Sequence, residues 1–429
     1  MLNLTSIQQY FNINETLRKK INEYLSFALH NVPFYQTKFA NKQVSIENFY
    51  NLPLTQGIDL TENPMSLVAL KDKIVLMTSS SGTYGKQKII FRTNDDLQKI
   101  AETTYKVAEC CGITSKDKIV MIQPFELANL GHGSLRTFQK IGALSCPLGL
   151  TTSPEYILWL LKEMKFNVVF STPSKAVYLA ELSKKKEVAS EIRITKVVCA
   201  GEPIFPIHRE KIRELWGADI LGTYGSEEID GISSECSNHN GYHVMDDNLI
   251  IEVLDEKTMQ PAETNRGVLV VTKMNYTGTV LLRYLIGDLI EIDESNCQCG
   301  RDAARIKILG RMKETSSLND GLKSPFPVNI PLASFDFAIK FVVGYIPIYQ
   351  LIIEQIDNKD TITININYDP SESLANEVLR KILSSNKDLE RCYIDHKINV
   401  KIQLFSDLTD FYSTRRGKIP KIYDKRNHA

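Results

Sequence analysis

Between residues 95 and 300, short apolar runs alternate with helical patterns, and this alternation limits the fold more than any other feature of the chain. "DKIVMIQPF" precedes a helical "GSLRTFQKIG", and a helical "EYILWLLKEMK" precedes "FNVVFSTPS". "KVVCAGEPI" precedes "HREKIRELWG", and "ADILGTYGSEE" closes the series. Strands alternating with helices specify βαβ units and a mostly parallel sheet, with the chemistry carried at strand ends. From about 247 the texture changes: "LIIEVLD", "GVLVVTKM" and "LIEID" lie close together with turn residues between them, a pattern for antiparallel strands. After about 325, "YQLIIEQID", "TITININY", "SESLANEVLRKIL" and "KINVKIQLF" outline a compact α+β unit. The expected fold class is α/β. It comprises a large N-terminal domain (1–310) of parallel and mixed sheet with helices and a small β region, and a small C-terminal α+β domain (311–429).

Composition bounds the function. The 429 residues suit two or three domains. Lys and Arg total 51, as do Asp and Glu, which argues against a chain that coats nucleic acid or an anionic membrane. A 43% hydrophobic and 24% charged content is that of a globular protein with a large core. No apolar run is long enough for a membrane span. The first residues lack the charged and apolar blocks of a signal peptide. Eight cysteines in a chain of this length are no disulfide scaffold, so a reducing, cytoplasmic setting is expected.

The apolar run Ile74–Met77 leads straight into "SSSGTYGKQK" at 79–88. Its glycines let backbone approach a phosphate closely, its hydroxyls and N–H groups donate to phosphate oxygens, and its lysines add charge. The spacing is not that of a Walker loop. A polar strand-to-helix turn is the alternative reading. A second constellation is Cys236, His243 and the Cys297-x-Cys299 pair, a Cys₃His set of the kind that holds structural zinc. His239 offers an alternative nitrogen, and ordinary free thiols are the competing reading. Cys110 and Cys111 suit core packing on a helix. Cys146, Cys199 and Cys392 read as small buried hydrophobes.

Five segments in chain order resemble the motifs of the adenylate-forming enzymes. They are the Ser/Gly loop, "TYGSEE" at 223–228, "RYLIGDL" at 283–289, "LGRMKE" at 309–314 and "RRGKIPKIYDKR" at 415–426. Within that superfamily, "LPLTQGIDL", the "GEP" at 201–203, "EC…GYHV" and "CQCGR" resemble the phenylacetate–CoA ligase family, some of whose members carry the same Cys/His arrangement. The resemblance implies activation of a carboxylate by ATP to an acyl-AMP, followed by thioester formation with coenzyme A. Alternatives are loading of a carrier-protein phosphopantetheine, or a degenerate nucleotide-binding relative without turnover.

The resemblance also implies roles. Ser80, Ser81, Gly82, Thr83, Gly85 and Lys86 match the loop that cradles the β- and γ-phosphates. Gly201, Glu202 and Pro203 match a loop at the adenine, with a strand-to-helix turn as the alternative. Tyr224 and Gly225 match the segment flanking it. Glu228 matches the acid that holds Mg²⁺, and Asp288 the carboxylate that accepts the ribose hydroxyls. Arg311 matches the hinge arginine near the ribose. Lys418 matches the lysine of a mobile C-terminal domain that bridges the acid and the α-phosphate. The acid pocket is expected at Phe125, Gly131-His132-Gly133 and the stretch after Tyr224 up to Gly231, with a structural or solvated role as the alternative for His132; a small aromatic acid is favoured as substrate, and a homodimer is open. The chain departs from the pattern at several positions. Glu227 stands where Ser or Thr is usual, adding a carboxylate that could raise a neighbouring pKa or serve as a ligand. Tyr84, Gln87, Leu285, Ile286, Met312 and Lys313 also differ from the usual residues.

Overall fold

The structure is a computed structural model that describes residues 15–80, 87–245, 247–312, 315–317, 329–343, 347–356, 359–413, 419 and 421–427. It divides into two compact units, Met1–Met312 and Lys313–Ala429. Among the described residues no helix is long and apolar enough to cross a membrane.

The first unit opens with the Glu15–Asn31 helix. The hairpin strands β1 (Ile74–Ser79) and β2 (Ile89–Thr93) follow. The strands of the main sheet are then β3 (Lys118–Ile122), β4 (Leu144–Leu148), β5 (Val168–Ser171), β6 (Lys196–Cys199) and β7 (Asp219–Ser226). They continue with β8 (Asp230–Glu235), β9 (Tyr242–Val244), β10 (Leu249–Leu254), β11 (Arg266–Lys273), β12 (Tyr284–Asp293) and β13 (Arg305–Arg311). One 11-stranded sheet runs in the order β10-β11-β12-β13-β9-β8-β7-β6-β5-β3-β4. Its β4-to-β7 half is parallel, and everything from β8 outward pairs antiparallel. The small β region read from the sequence is therefore continuous with the parallel half, joined at the β7–β8 hairpin.

Crossover helices cover both faces of the parallel half, so β5 is apolar and buried along its length, as a strand with two covered faces must be. The helices Pro154–Glu163, Pro173–Lys185 and Pro206–Trp216 bury Ile157, Leu161, Leu179 and Ile212 against Val120 and Val169. On the opposite face the Asn94–Cys110 and Asn129–Ile141 helices supply Ala108 and Phe138 to a cluster with Ile119 and Met121. Proline at the first helical turn and a Ser or Thr cap mark the starts of the helices at 154 and 173.

The antiparallel half packs against the N-terminal helix, with Leu25, Tyr35 and Phe49 among the buried partners of Val271 and Ile290. Arg283 fastens this layer. Its Nε lies 3.1 and 3.0 Å from the two oxygens of Glu252, and its Nη1 donates to the carbonyls of Tyr50, at 2.5 Å, and Leu52. Both side chains are buried, and burial pushes the Glu252 carboxyl up even against the pull of Arg283.

The second unit contains the short strands β14 (Thr315–Ser317) and β15 (Asn329–Pro331). Its main sheet is built from β16 (Tyr349–Ile356), β17 (Lys359–Asn367), β18 (Ile398–Phe405) and β19 (Ile422–Asp424) in the order β18-β17-β16-β19. The helices Leu332–Val343, Glu372–Ser385 and Lys387–Ile394 pack Phe335, Val378 and Leu389 on Leu351 and Ile364.

Removing one member of a buried ion pair leaves the other charged without compensation. Arg283→Met is expected to lower stability by about 3–5 kcal/mol. Pairing it with Glu252→Leu should restore much of the loss. Chemical denaturation of the wild type and both variants measures this, and an unchanged midpoint in the single variant would exclude the fastening role.

Candidate active site

The Ser/Gly loop closes a hairpin and does not run from a strand into a helix, because β2 intervenes before the helix at Asn94. Ser80 fixes the hairpin mouth: its N–H donates to Lys88 O at 2.9 Å, and its Oγ accepts from Lys88 N–H at 3.2 Å. Ser81, Gly82, Thr83, Gly85 and Lys86 lie outside the described residues.

From the same hairpin, Lys88 Nζ reaches Glu228 Oε1 at 2.7 Å and Tyr284 Oη at 3.2 Å. The Tyr284 hydroxyl also donates to Glu228 Oε1 at 3.3 Å. Glu228 is buried. Burial by itself would raise its pKa, but the Lys88 ammonium and the hydrogen bonds outweigh burial, so the carboxyl sits below its ordinary range. A buried carboxylate held in its ionised form beside the Ser/Gly hairpin has the chemistry of an anchor for a hard cation.

Asp288 lies on β12, and Tyr224, on β7, donates its hydroxyl to Asp288 Oδ2 at 2.6 Å. Asp288 stands opposite Arg311 in the β12–β13 register, and Met312 N–H donates to Gly287 O at 2.9 Å, so three of the matched segments converge here. Of Arg311, only the backbone is described. Gly225 must be glycine: a Cβ there would come within 2.0 Å of Asp230 O across the tight β7–β8 hairpin.

Gly201 adopts a left-handed φ of 86° just past β6. Glu202 accepts from Ser174 Oγ at 2.6 Å and Ser174 N–H at 3.3 Å, at the start of the Pro173–Lys185 helix, and Pro203 follows in the same turn. At the expected acid pocket, the rings of Phe125 and His132 meet edge to face at 5.3 Å, and His132 Nε2 lies 3.0 Å from Phe125 O. Gly131 lets its helix approach Pro124 O, where a Cβ would sit at 2.6 Å. Gly231 lies on β8, opposite Gly225.

The Cys/His set also converges. One atom each from Cys236, His243, Cys297 and Cys299 lies within 4.8 Å of the others. Cys236 Sγ is 3.7 Å from Cys297 Sγ, and Cys299 Sγ is 3.4 Å from His243 Nε2. Backbone donation from Cys299 holds the Cys297 thiol down to about 6. His239 is not part of the cluster; Asp219 at 3.0 Å and Arg209 at 2.9 Å hold its ring. Cys110, expected as ordinary core, borders the cluster, with its Sγ 3.6 Å from Glu235 O. Cys146 is only partly buried.

Comparison with known proteins agrees with this geometry. The family model for AMP-binding enzymes matches residues 13–280. The chain belongs to the AMP-binding enzyme family. It is 26% identical over 397 residues to a phenylacetate-coenzyme A ligase of Thermus thermophilus, covering 89% of this chain and 86% of the relative. A phenylacetate-coenzyme A ligase of Escherichia coli is 24% identical over 426 residues, covering 94% and 92%. Among solved structures, a 2-hydroxyisobutyryl-CoA ligase in the postadenylation state with 2-HIB-AMP superposes with a TM-score of 0.77 at 19% identity, over 98% of this chain and 92% of that one. A benzoate CoA ligase from Burkholderia xenovorans gives a TM-score of 0.55 at 17% identity, over 82% and 68%. At these identities the structural likeness establishes the fold.

Several site residues of this AMP-binding enzyme were given no role by the motif matches. Lys88 and Tyr284 lie inside motif segments, so their types and positions were available signals. Asp230 falls in the stretch before Gly231 but was given no role there, and Arg92 has no signal. Arg92 is buried and reaches Asp230 Oδ1 at 2.9 Å and Glu227 Oε1 at 3.4 Å. Burial would lower its pKa, and the two carboxylates reverse that. Glu227, the residue that departs from the family, is thus neutralised by Arg92 and also accepts from Asn129 N–H at 3.2 Å.

Because the folded Glu228 carboxyl titrates below its unfolded counterpart, its pairing stabilises the fold above about pH 4.3. That contribution is lost as pH falls through the lowered folded value. Lys88→Met leaves Glu228 with burial as the dominant influence, so the variant is expected to be less stable at pH 6 by about 1–3 kcal/mol. The gap should narrow toward pH 3. Urea midpoints measured across this range test the pairing; a gap independent of pH would refute it.

Proposed function

We propose that this chain activates a small carboxylic acid with ATP and passes the acyl group to coenzyme A. In the first half-reaction a carboxylate oxygen attacks the α-phosphorus, the α–β phosphoanhydride breaks, and pyrophosphate leaves. In the second, the thiol sulfur attacks the acyl carbon, the acyl–phosphate C–O bond breaks, AMP leaves and the thiol proton passes to solvent. The observation that carries this reading is the convergence, in an AMP-binding enzyme, of the hairpin mouth with Glu228 and the Tyr224–Asp288 pair.

The chemistry is positioning and charge neutralisation. Ser80 and the loop 81–86 cradle the terminal phosphates. Glu228 and the phosphates would hold Mg²⁺, which neutralises charge on the leaving pyrophosphate; an ionised buried carboxylate fits that ion. Asp288, oriented by Tyr224, accepts the ribose hydroxyls. Tyr224 and the 201–203 turn flank the adenine, and Arg311 approaches the ribose. Lys418, outside the described residues, is assigned by its motif to the acid and the α-phosphate. Phe125 and His132 offer an aromatic wall at the acid pocket, which favours an aromatic acid.

Zinc completes the reading of the Cys/His set. Tetrahedral Zn–S bonds of about 2.3 Å and Zn–N bonds near 2.05 Å require S···S edges of about 3.8 Å and S···N edges of about 3.6 Å. The 3.7 Å and 3.4 Å separations fit. Four protein ligands leave no open position, so the role is structural.

Acid-dependent pyrophosphate release, followed by thioester formation on adding coenzyme A, tests the function. Failure with a broad acid panel would end it. Lys418→Ala should cut acyl-AMP formation by about 10²-fold while sparing thiolysis of supplied acyl-AMP. Equal loss of both half-reactions would remove the lysine from its role. Purified protein should contain about one zinc per chain, and Cys297→Ser should lower thermal stability first and activity only through it. A metal-free preparation of full stability would exclude the zinc.

A further inference from the structure

Strand β2 and the residue that leads into it carry two cations. Lys88 and Arg92 are four positions apart, the even spacing that aligns side chains on an extended strand. Lys88 takes the Glu228 carboxylate, and Arg92 takes the loop on which Glu228 is mounted.

The Arg92 guanidinium uses its fork. Nη1 donates to Thr78 Oγ1 at 2.5 Å, on the strand entering the phosphate hairpin. Nη2 donates to the Glu227 carbonyl at 2.5 Å and to Asp230 Oδ1 at 2.9 Å. Glu228 therefore sits between two residues anchored to the same side chain. Asp230 adopts a left-handed φ of 60°, a conformation that a residue with a side chain holds only when its surroundings enforce it, and Asn129 Nδ2 grips the same Oδ1 at 3.1 Å. Glu227 adds a carboxylate where the related motif has a hydroxyl. Without Arg92 that charge would stand beside Glu228 and compete for any cation there.

We propose that Arg92 is a positioning residue for nucleotide activation: one guanidinium registers the phosphate hairpin against the loop that presents Glu228. The inference rests on the adenylating function proposed above. The partners of Arg92 are Thr78, Glu227 and Asp230, so its assigned action is through the loop that carries Glu228. A lysine cannot replace it, because an ammonium has the charge without the planar fork.

The test is nucleotide binding, which needs no knowledge of the acid. ATP affinity is measured by calorimetry with Mg²⁺ and with EDTA for the wild type, Arg92→Lys and Asp230→Asn. The wild type should bind ATP more tightly with Mg²⁺. Both variants should keep the EDTA affinity and lose about tenfold or more of the magnesium-dependent gain, the usual cost of removing support behind a metal ligand. Acyl-AMP formation should fall by about 10–100-fold while thiolysis of supplied acyl-AMP persists. A full magnesium-dependent gain in Arg92→Lys would overturn the proposal. So would parallel loss of EDTA affinity, thiolysis and melting temperature in both variants, which would make the network merely structural. Wild-type protein that binds no ATP at all would instead overturn the adenylating function, and this inference with it.

Discussion

Two cations, one on β2 and one leading into it, facing three carboxylates at the β7–β8 turn, are the constraint on which the rest of the site depends. Lys88 and Arg92 meet Glu227, Glu228 and Asp230; Arg92 and the three carboxylates are buried, where unpaired charge would be costly, while the Lys88 side chain is 33% exposed. The pairing costs desolvation on both sides, and apolar residues of similar volume would hold the fold as well or better. Its retention makes sense if the geometry it fixes is used. The shared guanidinium couples the 79–88 hairpin to the turn that presents Glu228.

The sheet supplies the second requirement. Tyr224 stands on β7, the last strand of the parallel half, and Asp288 on β12, in the antiparallel half. They meet because the sheet is continuous and because the β7–β8 hairpin folds back tightly at Gly225. A separate β domain, joined only by a linker, would leave the two groups free to drift by more than a hydrogen bond tolerates. Arg283 serves the same end from behind, tying the strand that leads into Asp288 to Glu252 and to the segment around Tyr50.

Much of this was legible in the sequence, for identifiable reasons. The β3-to-β7 series is readable because strand and helix periods differ and each run is bounded by turn residues. Glu228, Tyr224 and Asp288 are readable because they sit in contiguous motifs. The hairpin was less so: Ile89–Thr93 is too short an apolar run to separate from the helix that follows at Asn94. Arg92 was invisible, since its partner Glu227 lies 135 positions away and its type and neighbours carry no motif. Glu227 was readable as an anomaly and not as half of a pair. Its charge is explained only when the fold brings β2 to it.

The Cys/His cluster follows a similar logic in a different chemistry. Cys236 lies just past β8, the strand leaving the Glu228 loop, and Cys297 and Cys299 lie just past β12, the strand bearing Asp288. His243 on β9 stands between them, paired in the sheet with β8 on one side and β13 on the other. The hydrogen-bonded ladder already orders these strands, but the loops beyond their ends have no ladder of their own. A side-chain closure at 236 and 297–299 would supply that restraint, at the end of β8 opposite Glu228 and beyond the C-terminal end of β12. A restraint on the 236 and 297–299 ends would limit the twist that moves Glu228 relative to Asp288, so a metal held by this Cys/His set would support the site without touching it.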